Sequence, residues 1–175
     1  LKAFIDIMKS SQAWLTLGIM PLNFVLSYLA FFGEEYGWRY YLQPCLQKRF
    51  GLRKGVLILG VVWGLWHLPL DFFYYVTPDK GLIMTCNQII VCVALGIFMG
   101  YVYMKTENIW GVVIIHFLNN NLALVISGEF SADVLMNQSV SWNDLLSSLL
   151  LNGVLFGLFI FAKQYREKSA ASRQN

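Results

Sequence analysis

Long apolar stretches alternate with short polar breaks along almost the whole chain. Five of them approach the length of a bilayer span: Ala13–Gly33, Gly55–Val76, Leu82–Met104, Ile109–Ser127 and Leu145–Ala162. A helix needs about 20 such residues to cross. The breaks carry charge or turn chemistry, as in Lys48, Arg49, Arg53 and Lys54, then Thr77-Pro78-Asp79-Lys80-Gly81, then Lys105-Thr106-Glu107-Asn108. Continuous apolar runs read as helices, because backbone groups in lipid must be satisfied within the segment. A membrane β-barrel would show alternation over about ten residues, and the chain has none.

The pattern predicts an all-α, polytopic transmembrane helix bundle of five to six helices. Residues 1–12 read as a juxtamembrane segment or the remnant of an upstream helix, 13–163 as the membrane core and 164–175 as a polar cytoplasmic tail. The first residue is leucine, and no charged n-region with a cleavage site precedes the first span, so a truncated start and an upstream helix of a longer parent are expected.

Composition agrees with lipid as solvent. Of 175 residues, 57% are hydrophobic and only 13% are charged, against about 25% charged in soluble domains. A formal net charge of +3 is too mild for a nucleic-acid surface. Cys45, Cys86 and Cys92 lack metal-ligand or disulfide spacing and read as small buried hydrophobes.

Lysine and arginine then orient the chain. Lys48, Arg49, Arg53, Lys54, Lys105, Lys163, Arg166, Lys168 and Arg173 share one face if the spans alternate, and the positive-inside rule makes that face cytoplasmic. The opposite face takes Lys80 and the Lys/Arg-free loop Ser127–Asp144, with Lys2 and Lys9 as the disagreement. Trp38, Tyr40, Tyr41 and Phe50 read as an aromatic belt around a helix that stops near Pro44.

The chemistry lies in the polar residues within apolar segments. An ionisable group near the bilayer centre costs at least ~2.5–3.5 kcal/mol on insertion scales, so each one needs a reason. Both histidines of the chain, His67 and His116, lie inside spans; Glu34 and Glu35 close the first, and Asn119, Asn120 and Asn121 follow His116. Adjacent helical positions differ by about 100° in direction. Glu35 and Arg39 are spaced i,i+4, carboxylate first, the favourable order for an ion pair, which leaves Glu34 aimed elsewhere. His116 and Asn120 share a face in the same way, as do Trp63 and His67. Pro69 cannot donate to the carbonyl of Leu65, which opens the backbone near His67. Helical rise puts Glu34 about 15 Å inside Pro44, His67 about 18 Å inside Gly55 and His116 about 11 Å inside Ile109. One carboxylate, two imidazoles and an amide can therefore meet in the cytoplasmic half of the bundle.

A buried glutamate is a general base towards water, a neighbouring histidine can orient that water, and a histidine with an amide can stabilise an oxyanion. The same Glu34, His67 and His116 are also a ligand set for zinc, although no HExxH helix is present.

These residues resemble a known family. Glu34-Glu35-Tyr36-Gly37-Trp38-Arg39 matches EExxxR, the first motif of the CPBP intramembrane proteases, the CAAX-processing and bacteriocin-processing (Abi) enzymes. Trp63-Gly64-Leu65-Trp66-His67 resembles the second, FxxxH, with tryptophan replacing phenylalanine, and His116-Phe117-Leu118-Asn119-Asn120 matches the third, HxxxN. The resemblance implies an intramembrane endopeptidase, with Glu34 activating water, His67 assisting it, His116 and Asn120 forming the oxyanion site, and Glu35 and Arg39 as structural support. It implies a membrane-associated protein or peptide substrate of CAAX, pheromone or bacteriocin type, in the plasma membrane of a bacterium. Both a zinc mechanism and a metal-free glutamate mechanism are argued for the family. Some relatives are non-catalytic binding, immunity or regulatory proteins, which is the alternative reading. Transport fits less well, since the opposite half of the bundle is apolar.

Overall fold

The computed structural model describes residues 2–127, 136 and 138–166. Its helices are α1 (Lys2–Met8), α2 (Ser11–Glu35), α3 (Gln43–Phe50), α4 (Leu52–Trp66), α5 (Leu68–Phe73), α6 (Gly81–Thr106), α7 (Ile109–Ser127) and α8 (Trp142–Leu155). A π-helical segment, Tyr36–Leu42, joins α2 to α3. No strand occurs among the described residues. Three helical stretches, Ser11–Phe50, Leu52–Phe73 and Pro78–Thr106, are long and apolar enough to cross a membrane, with Ile109–Leu122 a shorter apolar one. The all-α membrane bundle expected from the sequence is what forms, and the chain is an integral membrane protein.

The first apolar stretch corrects the expectation of a stop near Pro44. The helix continues through Pro44 to Phe50 and ends at Gly51, whose φ of 85° suits glycine. The π-helical segment makes this continuation possible. In it Gln43 N–H reaches back five residues to the Trp38 carbonyl. Pro44 then falls in the first turn of α3, where proline is tolerated. The wider turn also counters the sideways drift of an i, i+4, i+8 row. Glu35, Arg39 and Gln43 are all buried as a result.

The second stretch breaks where Pro69 predicts. His67 leaves the α-helical pattern, and its N–H bonds to the Gly64 carbonyl at 3.1 Å. The third and fourth expected spans fall within α6 and α7. The fifth does not run through Ala162: α8 ends at Leu155, followed by a 3-10 turn over Gly157–Phe161. Aromatic packing explains the break, since Phe156 and Phe159 both turn onto Phe98 of α6. Tyr165, expected in the polar tail, is buried and donates its hydroxyl to the Ile97 carbonyl at 2.7 Å. Cys45, expected to be buried, is exposed. Half of the Ser127–Asp144 loop and most of the tail, including Lys168 and Arg173, lie outside the described residues.

Helices α4 and α6 make the closest approach. Gly60 and Gly64, four apart on α4, face Val93 and Ile89 of α6; an added Cβ would sit 2.5 Å from Val93 Cα and 2.7 Å from Ile89 Cα. Small residues at this spacing let membrane helices pack backbone to backbone. Gly64→Ala should therefore lower the unfolding temperature in detergent, the overpacking costing about 1–3 kcal/mol. Gly18→Ala, where the added Cβ meets nothing within 4 Å, should be neutral or mildly stabilising. Equal unfolding temperatures for wild type and Gly64→Ala would contradict the contact.

Candidate active site

Glu35 is the hub of the buried polar residues. It is fully buried, with Oε2 3.0 Å from Arg39 Nε. Its Oε1 accepts from His116 Nδ1 at 2.9 Å, joining α2 to α7. Arg39 is also fully buried. Its guanidinium stacks over Trp63, 4.9 Å from the ring centroid, and Nη2 points to Met99 Sδ at 3.7 Å. Trp63 in turn meets the His116 ring edge-on at 5.3 Å, and Phe31 does so from α2 at 5.0 Å. Tryptophan in place of the family's phenylalanine thus packs between the Arg39 cation and the His116 ring.

The i,i+4 spacing of Glu35 and Arg39 does form an ion pair. It gives no hint of His116, which is 81 residues away in sequence. This contact also settles relative depth, since Glu35 and His116 must lie at one level. Counting from Phe50 instead of Pro44 puts Glu34 roughly 24 Å from its helix end. The excess belongs to α3, which carries Lys48 and Arg49 in its last turn.

Glu34 stands apart from this network. It is partly buried, and its Oε2 is shielded from solvent without a hydrogen-bond partner. Its field reaches Cys92 of α6 and Tyr75 beyond α5.

His67 is held by the helix break. Its own N–H has shifted to Gly64, so the Trp63 carbonyl is free to take the ring, at 2.9 Å from Nδ1. A carbonyl only accepts, so Nδ1 carries the hydrogen and Nε2 is left for another partner. The same logic applies to His116, whose Nδ1 is engaged by Glu35. Both imidazoles therefore present Nε2 as their free atom.

Asn120 is not drawn into direct contact with the others. It is exposed, and its Oδ1 accepts from Asn119 Nδ2 at 3.2 Å, leaving its own Nδ2 as a donor. Asn121 ties helices together instead: its Oδ1 accepts from Asn23 of α2 at 2.9 Å. Among the described residues, no three His, Cys, Asp or Glu side chains gather closely enough to hold a metal ion.

Sequence reasoning missed Asp71. It lies on α5, completely buried, and among the described residues neither carboxylate oxygen has a well-formed hydrogen bond, with the Thr85 hydroxyl beside it. The signal was available, for Asp71 is a charge inside an apolar stretch and is spaced i,i+4 from His67.

The Glu35 network yields a stability prediction. Glu35→Gln should sharply reduce folded, monodisperse yield by size-exclusion chromatography. Breaking one side of a buried ion pair costs about 3–5 kcal/mol. Wild-type yield for this variant would contradict a structural role for Glu35.

Comparison with known proteins places this geometry in a family. A family model described as type II CAAX prenyl endopeptidase Rce1-like matches residues 15–122. That stretch contains Glu34, Glu35, Arg39, His67, Asp71, His116 and Asn120. The CAAX prenyl protease 2 of Methanococcus maripaludis is 33% identical over 106 residues, which is 58% of this chain and 39% of the relative. The aligned stretch thus spans about two fifths of the curated relative's length. No solved structure matches the chain. The family match covers more than half of the chain, and the protein belongs to the Rce1-like type II CAAX prenyl endopeptidases.

Proposed function

We propose that this protein is an intramembrane endopeptidase that hydrolyses a peptide bond of a membrane-associated, CAAX-type protein or peptide, at a site in the cytoplasmic half of the bundle. The observation that carries the reading is the contrast between two adjacent glutamates. Glu35 is consumed by Arg39 and His116, whereas Glu34 offers a shielded oxygen with no protein partner. A carboxylate left open in an apolar bundle suits a general base towards water.

In this mechanism Glu34 accepts a proton from water while the water oxygen bonds to the scissile carbonyl carbon. His67, through Nε2, orients that water. His116, when doubly protonated, and Asn120, through Nδ2, donate to the oxyanion. Collapse of the tetrahedral intermediate breaks the C–N bond, and the proton held on Glu34 passes to the leaving amine.

The test uses purified protein in liposomes with a panel of prenylated CAAX peptides. Glu34→Gln should lower kcat by about 10²–10⁴-fold with the folded yield of wild type. Absence of Glu34-dependent cleavage across the panel, with the fold intact, would overturn the reading. Exhaustive chelation provides a second arm. Cleavage that survives it removes zinc from the mechanism; cleavage lost on chelation and restored by zinc would require a rearranged site.

A further inference from the structure

The mechanism above leaves one costly group unused. Asp71 is completely buried, with neither carboxylate oxygen in a well-formed hydrogen bond among the described residues. Glu35, equally buried, has Arg39 and His116 to compensate it; among the described residues Asp71 has no ion-pair partner. Thr85 of α6 lies beside it, also buried, and the Thr85 hydroxyl has no well-formed hydrogen bond either. Asp71 is one turn beyond His67, its N–H donating to the His67 carbonyl at 2.9 Å, and it interacts electrostatically with the imidazole. The Asp71 and Glu34 carboxylates both lie within electrostatic reach of Tyr75 and Cys92.

Buried polar oxygens in folded proteins are satisfied almost without exception, by water where protein groups are missing. Glu34 Oε2, both Asp71 oxygens and Thr85 Oγ1 are each buried without a well-formed hydrogen bond among the described residues. They offer ordered water the two to four partners it needs. Nδ1 of His67 is already spent on Trp63, so Nε2 is the one ring atom left to accept from the nucleophilic water.

We propose that Asp71 is a positioning residue: with Thr85 it holds ordered water that hydrogen-bonds the nucleophilic water shared by His67 Nε2 and Glu34, and so fixes that water against the imidazole. The proposal rests on the protease reading for its catalytic consequence and not for its effect on the His67 ring.

Asp71→Asn keeps the shape and is cheaper to bury, so its unfolding temperature should equal or exceed that of wild type. Its kcat should fall about 10–100-fold, the usual cost of losing a partner that orients a working histidine, with KM little changed. The ring ¹⁵N signals of His67 should shift in the resting protein. Thr85→Val should move the same signals with a smaller loss of kcat. Wild-type ring signals in both variants would overturn the proposal, as would a reduced unfolding temperature for Asp71→Asn with unmoved signals. If Asp71→Asn fails to fold, the signals of Thr85→Val decide. Moved ring signals in a protein that cleaves nothing would remove the protease reading and keep the positioning of water at His67.

Discussion

The buried Glu35 carboxylate, shared between Arg39 and His116, is the interaction on which the rest of the structure depends. Lipid offers no water to solvate a charge, so a carboxylate and a guanidinium within the bundle must satisfy each other. Doing so draws α2 against α7 and orders the π-helical segment around Arg39. It also seats Trp63 between the guanidinium and the His116 ring. Both Glu35 oxygens are spent. Glu34, one residue earlier and turned about 100° away, is left open. One structural pair thereby decides which glutamate is free for chemistry.

The second constraint is the break at His67. A straight helix would use the Trp63 carbonyl for the His67 N–H. Proline at position 69 and the tighter bond to Gly64 release it, and the imidazole takes it instead. The ring is thereby held in one orientation and one tautomer, with Nε2 free. Close packing of Gly60 and Gly64 on Val93 and Ile89 brings α6 near enough to close the region around Asp71 and Thr85. Backbone geometry and close packing thus do at His67 what the ion pair does at Glu35.

Much of this was legible in the sequence because it is local. The helices, the Glu35–Arg39 pair and the break near Pro69 follow from spacing and backbone chemistry within a few residues. The π-helical segment was not legible, since an i,i+5 bond leaves no hydrophobic period in a run such as Tyr36-Gly37-Trp38-Arg39. Without it, Pro44 reads as a stop. The His116–Glu35 contact was hidden for a different reason: position along two separate helices does not reveal which faces meet. The early end of α8 and the docking of Tyr165 on Ile97 likewise depend on aromatic packing from α6. Asp71 was legible and overlooked, for the insertion cost that singles out His67 applies to it equally.

The division between a structural Glu35 and an open Glu34 would be tested most directly by an experimental structure of the wild-type protein that resolves ordered water. An ordered water within hydrogen-bond distance of both Glu34 Oε2 and His67 Nε2 is the predicted result. A Glu34 carboxylate bonded to a protein side chain, with no solvent between it and His67, would contradict it.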